Sequence, residues 1–210
     1  MMTPSQLINA VETADSSDAL LDAVEALAAA NLPEAIPTLI EVLGFNNPGA
    51  AVAAVDGLIS IGEPAVMPIL EQLDGYNYGA RAWAVRALSG IGDPRGLDVL
   101  LDAAESDFAL SVRRAAARGL GAIRWHELPL EAQPPAQERA FKTLSQVCQD
   151  PEWIVRYGAV VGLQGLHIVT TTQQPSWWQT GVKRLEEMTQ QDDTLAVQAR
   201  AKLALHLLLD

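Results

Sequence analysis

The stretch Ala84-Val85-Arg86-Ala87-Leu88-Ser89-Gly90-Ile91-Gly92-Asp93-Pro94-Arg95-Gly96-Leu97 decides the fold, because its skeleton returns along the chain. The pattern alanine, apolar, two free positions, leucine stands at Ala23-Val24 to Leu27, Ala54-Val55 to Leu58, Ala84-Val85 to Leu88 and Ala116-Ala117 to Leu120. Its second member, called the anchor below, advances from Val24 to Val55, Val85 and Ala117 in steps of 31, 30 and 32 residues. Six residues after each of the first three leucines comes a proline, at Pro33, Pro64 and Pro94. A second apolar set follows in phase at Ile36, Met67 and Leu97. A fixed period of this size means stacked units, none of which buries its apolar face alone. The expected fold is all-α, an α/α superhelix (solenoid) of helical hairpins.

Each unit reads as two helices and a short turn. A first helix is expected from about Gly79 to Ser89, with Ala82, Val85, Ala87 and Leu88 at the 3.6-residue period. Gly90 and Gly92 are expected to end it, since glycine accepts the left-handed conformation at a helix C-terminus. Asp93 then caps the next helix and Pro94 takes its first position, where no backbone donor is needed. Leu97, Leu100, Leu101 and Ala104 form the next apolar stripe.

Beyond Gly121 the anchor continues at Val160 and, more loosely, at Lys202, with longer steps of 43 and 42 residues. Two insertions account for the extra length. One spans 122–138, with Pro129, Pro134 and Pro135; the other spans 168–180, with Thr170-Thr171-Thr172 and Pro175. Both read as irregular segments. Residues 1–210 are expected to form a single repeat domain carrying these insertions.

Composition narrows the function classes. Apolar residues make up 49% and charged residues 19%, which supports a filled core and excludes a disordered chain. The net charge of −12, with acids spread along the chain, disfavours nucleic acid as a partner. No apolar run is long enough to cross a bilayer, and residues 1–6 do not read as a signal peptide. The single cysteine, Cys148, rules out an internal disulfide and a cysteine metal cluster, and fits a cytoplasmic setting. Phe141, Leu144 and Val147 share its helical pattern, so it reads as a buried small residue.

An arginine stands four residues before three anchors, at Arg81, Arg113 and Arg156, with an aspartate six or seven residues earlier at Asp74, Asp107 and Asp150. This arrangement resembles HEAT-like repeats of the short form. The segment Tyr76-Asn77-Tyr78-Gly79-Ala80-Arg81-Ala82-Trp83 through Gly96, continued by Ser111-Val112-Arg113-Arg114-Ala115-Ala116-Ala117-Arg118-Gly119-Leu120-Gly121, resembles the E/F-type phycobilin lyases, and among them the smaller F-type subunits. The resemblance runs over essentially the whole chain. It implies a heterodimer with an E-type lyase subunit that attaches phycocyanobilin, as substrate, to a cysteine of the apo-phycocyanin alpha subunit through a thioether bond. It implies no tightly bound cofactor and no metal. The isomerising relatives carry a cysteine-containing motif; Cys148 here sits in Gln146-Val147-Cys148-Gln149 instead.

Residues that break the repeat are the candidates for ligand contact. Two positions before the anchor, Ala53, Ala115 and Gly158 are small, whereas Trp83 is large; one position after it stand Arg86 and Arg118, where Val161 follows later. Arginine binds carboxylates through a bidentate fork, and a bilin carries two propionates. Helices pack roughly 8–10 Å apart, so two such arginines in adjacent units would span one ligand. Aromatic rings stack on pyrroles. The bilin-binding candidates are Tyr76, Tyr78, Trp83, Arg86, Arg114 and Arg118. The competing reading makes Arg86 and Arg118 solvated or structural and Trp83 a filler of the inter-repeat core. Arg81, Arg113 and Arg156 are instead expected to pair with aspartate and tie units together.

The partner-interface candidates are Trp125, His126, Trp153, Tyr157, Trp177 and Trp178, because exposed tryptophan is enriched at binding hot spots. For Trp177-Trp178 the alternative is a loop pinned onto the array. The terminal Leu205, Leu207, Leu208 and Leu209 read as a docking surface or a folded-back cap. No residue is singled out as catalytic, and Asp93 is already committed to capping. A non-catalytic HEAT-like adaptor or bilin-handling chaperone in phycobilisome assembly or degradation stays open as the alternative. A HEAT-like DNA glycosylase is disfavoured by the charge, and an iron hydroxylase by the single His126-Glu127 pair.

Overall fold

The computed structural model describes residues 2–73 and 78–209, the side chain of Tyr78 excepted. Among them every regular element is helical. The chain divides into two compact units, Met1–Ile91 and Gly92–Asp210.

The first unit holds α1 (Pro4–Glu12), α2 (Ser17–Ala29), α3 (Ile36–Val42), α4 (Pro48–Ile61), α5 (Glu63–Gln72) and α6 (Tyr78–Ile91). The anchors Val24, Val55 and Val85 are fully buried, and their helices α2, α4 and α6 lie side by side in one row. The row begins with side-chain caps. Ser16 accepts from the Ala19 N–H, and Asn47 accepts from the Ala50 N–H. The Asn47 amide also donates to the Ser17 carbonyl, which locks the starts of α2 and α4 together. A methyl added at Gly57 would stand 2.7 Å from the Ala28 side chain, so these two helices approach through small residues.

Met67 departs from expectation. It is exposed, and Ala65, Val66 and Ile69 fill the core instead. The cause is the entry into the helix. Pro33–Ala35 and Pro94–Gly96 form 3-10 turns that precede Ile36 and Leu97, whereas α5 starts as regular helix straight after Gly62, whose φ is +76°. A 3-10 turn has 3.0 residues per turn against 3.6, so the same spacing from proline points to a different side.

The second unit holds α7 (Leu97–Ser106), α8 (Leu110–Leu120), α9 (Gln133–Val147), α10 (Trp153–Thr170), α11 (Trp178–Gln191) and α12 (Leu195–Leu209). Here α8, α10 and α12 form the row, backed by α7, α9 and α11. Gly92 has φ +69°, and a methyl there would lie 2.5 Å from the Ala122 carbonyl oxygen, so only glycine fits the turn. Asp93 caps as expected, accepting from the Arg95 N–H, but it opens the 3-10 turn rather than α7 directly.

α8 and α10 touch backbone to backbone. A methyl at Gly162 would stand 2.2 Å from the Ala117 carbonyl oxygen, and one at Gly165 2.3 Å from that of Gly121. The outer side of the row is tied by ion pairs. Arg113 grips the Asp150 carboxylate at 2.7 and 3.1 Å, and donates to the Asp107 carbonyl oxygen. Arg156 repeats this one repeat later, with the Asp192 carboxylate at 2.8 and 3.0 Å and the Asp150 carbonyl oxygen. Each arginine thus takes the carboxylate of the following repeat and only the backbone of the preceding aspartate. Asp107, Asp150 and Asp192 each also cap a backbone N–H two residues on.

The insertions are smaller than the sequence suggests. Residues 133–138 belong to α9, whose first turn accommodates Pro134. Residues 168–170 belong to α10, and 178–180 to α11. The terminal leucines continue α12 to Leu209, with Leu207 and Leu209 exposed. Lys202, at the last anchor position, is exposed too.

Candidate functional site

Charge is divided unevenly between the units. The first has eleven acidic residues and only Arg81 and Arg86 as cations, whereas twelve of the fourteen Lys and Arg residues lie in the second. Most arginines of the second unit are spoken for: Arg95, Arg113, Arg124, Arg139, Arg156 and Arg184 each contact a carboxylate. Among the described residues, Arg114, Arg118 and Arg200 contact none.

These three lie on the row helices. Arg114 and Arg118 stand one turn apart on α8, where the Arg114 stem covers the bare backbone of Gly158 on α10. Arg118 is exposed. Arg200, on α12, reaches back to α10 and donates from Nη2 to Gln164 Oε1. Burial lowers its pKa from the usual arginine range, and the like charge of Arg118 acts in the same direction, while the Tyr157 phenol opposes both. The sequence candidates Arg114, Arg118 and Tyr157 therefore gather on one row, with Arg200 as a member that sequence reasoning missed.

In the first unit, Trp83 and Arg86 meet each other. The Arg86 guanidinium carbon lies 5.6 Å from the Trp83 ring centroid, a cation–π contact on the surface of α6. Tyr76 lies outside the described residues, as does the side chain of Tyr78.

The interface candidates separate by burial. Trp153 is 45% exposed at the start of α10, at the same repeat position as Leu110 on α8 and Leu195 on α12, which are 42% and 79% exposed. His126 is exposed and Tyr157 half-buried. Trp125, Trp177 and Trp178 are buried, at 3%, 8% and 4%, and offer no surface to a partner. Trp177 stacks on Phe141 at 4.7 Å between ring centroids, and Trp178 lies against His167. The His167 ring nitrogens sit 2.8 Å from the Leu163 carbonyl oxygen and 3.0 Å from that of Trp178. This cluster pins the second insertion to α10, the alternative weighed for the tryptophan pair. Burial lowers the His167 pKa, against the opposing pull of its two carbonyl contacts.

Two reactive-looking groups are disabled by their surroundings. Burial pushes the Cys148 thiol up to about 12, so it is neither a nucleophile nor a thiolate at neutral pH. The Arg95 fork on Asp93 holds that carboxyl below its ordinary value against the cost of burial, so Asp93 stays ionised and is no proton donor.

Known proteins share this architecture. The family model for HEAT repeats matches residues 4–76 and 69–164. A phycocyanobilin lyase subunit beta from Pseudanabaena tenuis is 56% identical over 201 residues, covering 95% of this chain and 71% of the relative. A phycocyanin alpha phycocyanobilin lyase, CpcF, from a Synechocystis species is 61% identical over 168 residues, covering 79% of this chain and 78% of the relative. A solved chain from the complex of CpcE and CpcF of phycocyanin lyase from a Nostoc species is 53% identical, with a TM-score of 0.73 over 81% of this chain and 97% of that one. The chain therefore belongs to the HEAT-repeat proteins and, within them, to the family of phycocyanobilin lyase beta subunits.

Proposed function

We propose that this chain is the beta, or F-type, subunit of a heterodimeric bilin lyase. With an E-type partner it attaches phycocyanobilin to a cysteine of the phycocyanin alpha subunit through a thioether bond. The observation that carries this is 56% identity over 95% of the chain to a phycocyanobilin lyase beta subunit. A relative of the same type is solved in complex with CpcE, which supports the E-type partner.

In the reaction the acceptor thiolate adds to the exocyclic double bond on ring A of the bilin. One C–S bond forms, the electron pair of the double bond moves into the tetrapyrrole, and a proton completes the addition. Nothing leaves. The task of the protein is to hold a long, reactive chromophore in one shape, keep water from it and present one end to the thiolate. Arg114 and Arg118 supply fixed positive charge for propionates. The neutral, enclosed Cys148 supports a bond formed on the cysteine of the acceptor protein. Among the described residues no helix is long and apolar enough to cross a membrane. We place the protein in the cytoplasm, with the bilin as substrate and no tightly held cofactor. The exposed row of Leu110, Trp153 and Leu195 is the surface we assign to protein contacts, along with His126.

The test is reconstitution with the E-type partner, apo-phycocyanin alpha subunit and phycocyanobilin. Colour that survives denaturation, formed only when both lyase chains are present, is the expected result. Partner binding without covalent product would overturn the lyase reading and favour a chaperone or adaptor.

A further inference from the structure

The last repeat contains a charge that the fold does not need. Two positions before the anchor stand Asp22, Ala53, Trp83, Ala115 and Gly158; in the last repeat this position is Arg200. In the two preceding row helices of this unit, α8 and α10, a short side chain suffices there. Arg200 instead extends over α10, where one hydrogen bond to Gln164 holds it. Its other terminal nitrogen, Nη1, is enclosed and has no acceptor.

A half-buried guanidinium with no carboxylate carries a cost, because Nη1 has lost water and the charge has gained no counter-charge. The surrounding residues do not repair this. Arg118 adds a second positive charge that acts on Arg200, and Tyr157 offers a hydroxyl where a carboxylate would be needed. The remaining arginines of this unit, Arg114 aside, have each found an acid. Relative to their anchors, Tyr157, Arg118 and Gln164 stand at three before, one after and four after. By the 3.6-residue period these positions and that of Arg200 fall within one helix face. One carboxylate would accept from Arg200, balance Arg118 and face the Tyr157 hydroxyl.

We propose that Arg200, with Arg118 and Tyr157, forms a carboxylate-binding site across α8, α10 and α12, and that its ligand is a propionate of the bilin. The identity of the ligand rests on the lyase reading above; the carboxylate chemistry of the site rests on the arginines themselves. A guanidinium fork prefers a carboxylate strongly to its ester, which keeps the carbonyl but loses the charge.

The experiment uses the complex with its E-type partner, titrated with phycocyanobilin and with its dimethyl ester. The wild-type complex is expected to bind the free acid on the order of tenfold more tightly than the ester. Arg200→Met is expected to cut that preference by at least about fivefold, with Arg200→Lys retaining part of it. Should Arg200→Met fail to fold, judged by circular dichroism, Arg118→Gln and Tyr157→Phe read the same preference from the other two members. Equal affinity of the wild type for acid and ester overturns the carboxylate site and leaves the lyase reading standing. A preference untouched by Arg200→Met, or by both substitute variants, overturns the role of this cluster. Arg200→Met weakening the E-type complex without bilin overturns the ligand assignment, because the site then takes an acidic side chain of the partner. No binding of either bilin by a complex that fails to form thioether overturns the lyase reading itself.

Discussion

Arg113 and Arg114 are adjacent in the chain and opposite in circumstance. Arg113 is bound by the Asp150 carboxylate and the Asp107 carbonyl oxygen, and Arg156 repeats the arrangement with Asp192. Arg114 points about 100° further round the same helix and, with Arg118 and Arg200, contacts no carboxylate. One row of arginines is consumed in holding repeats together, and the other is left with its charge available. The contrast separates residues that build the row from residues that equip it.

The sharpest way to break this contrast is to substitute one arginine from each set. Arg156→Met leaves Asp192 enclosed without its cation, and unfolding by urea should show a loss of about 3–5 kcal/mol. Arg118→Met, at an exposed position, should stay within about 0.5 kcal/mol in the same assay. Comparable losses would mean that the two rows are not distinct in role. Next in size is Gly162→Ala. The new methyl meets the Ala117 carbonyl oxygen and the Leu144 side chain, so a loss of about 1–3 kcal/mol is expected, with bilin affinity reduced because α8 is displaced from α10.

A pH titration of stability sharpens the same point. His167 has its pKa lowered by burial, so below the ordinary histidine value of 6.5 the unfolded chain takes up a proton that the native chain refuses. Stability should therefore fall as pH drops through this range, by up to about 1.4 kcal/mol per unit, and His167→Gln should flatten the slope. Asp192, held low by Arg156, adds a second loss only below its ordinary value of 3.8. The smallest effect is expected at Cys148. Cys148→Ala should leave transfer of the bilin intact, and a thiol reagent should modify the native protein only as fast as it opens; rapid modification of the folded chain would contradict its burial.

Much of the fold could be read from Ala84-Val85 and its repeats, because a buried anchor every 30 to 32 residues leaves a periodic trace. The misreadings have local causes. Met67 fails because a 3-10 turn is absent before α5, and proline spacing alone does not report that turn. Pro134 looked like a loop residue, yet proline suits the first turn of a helix. Trp177 and Trp178 allow two readings from sequence, an interface or a loop pinned onto the array; Phe141 and His167, distant in sequence, close over them. Arg114 and Arg118 were legible as departures from the repeat. Arg200 was not, since its repeat is recognised only loosely, with exposed Lys202 where other units carry a buried anchor. Aligning that last repeat places Arg200 in the column of Ala115 and Gly158, its two predecessors in the row, which is the signal that would have revealed it.

The contact between α8 and α10 has a mechanical consequence. Peptide groups resting on one another at Gly162 and Gly165 have no side-chain rotamers with which to yield, so the spacing of Arg114 and Arg118 from Tyr157 is that of a stiff joint. The α12 side differs, for Arg200 bridges to Gln164 through two flexible stems. The adjustable member is thus the Arg200 side chain, and a rigid two-helix platform with one movable anchor can meet guests of slightly different width without losing its register.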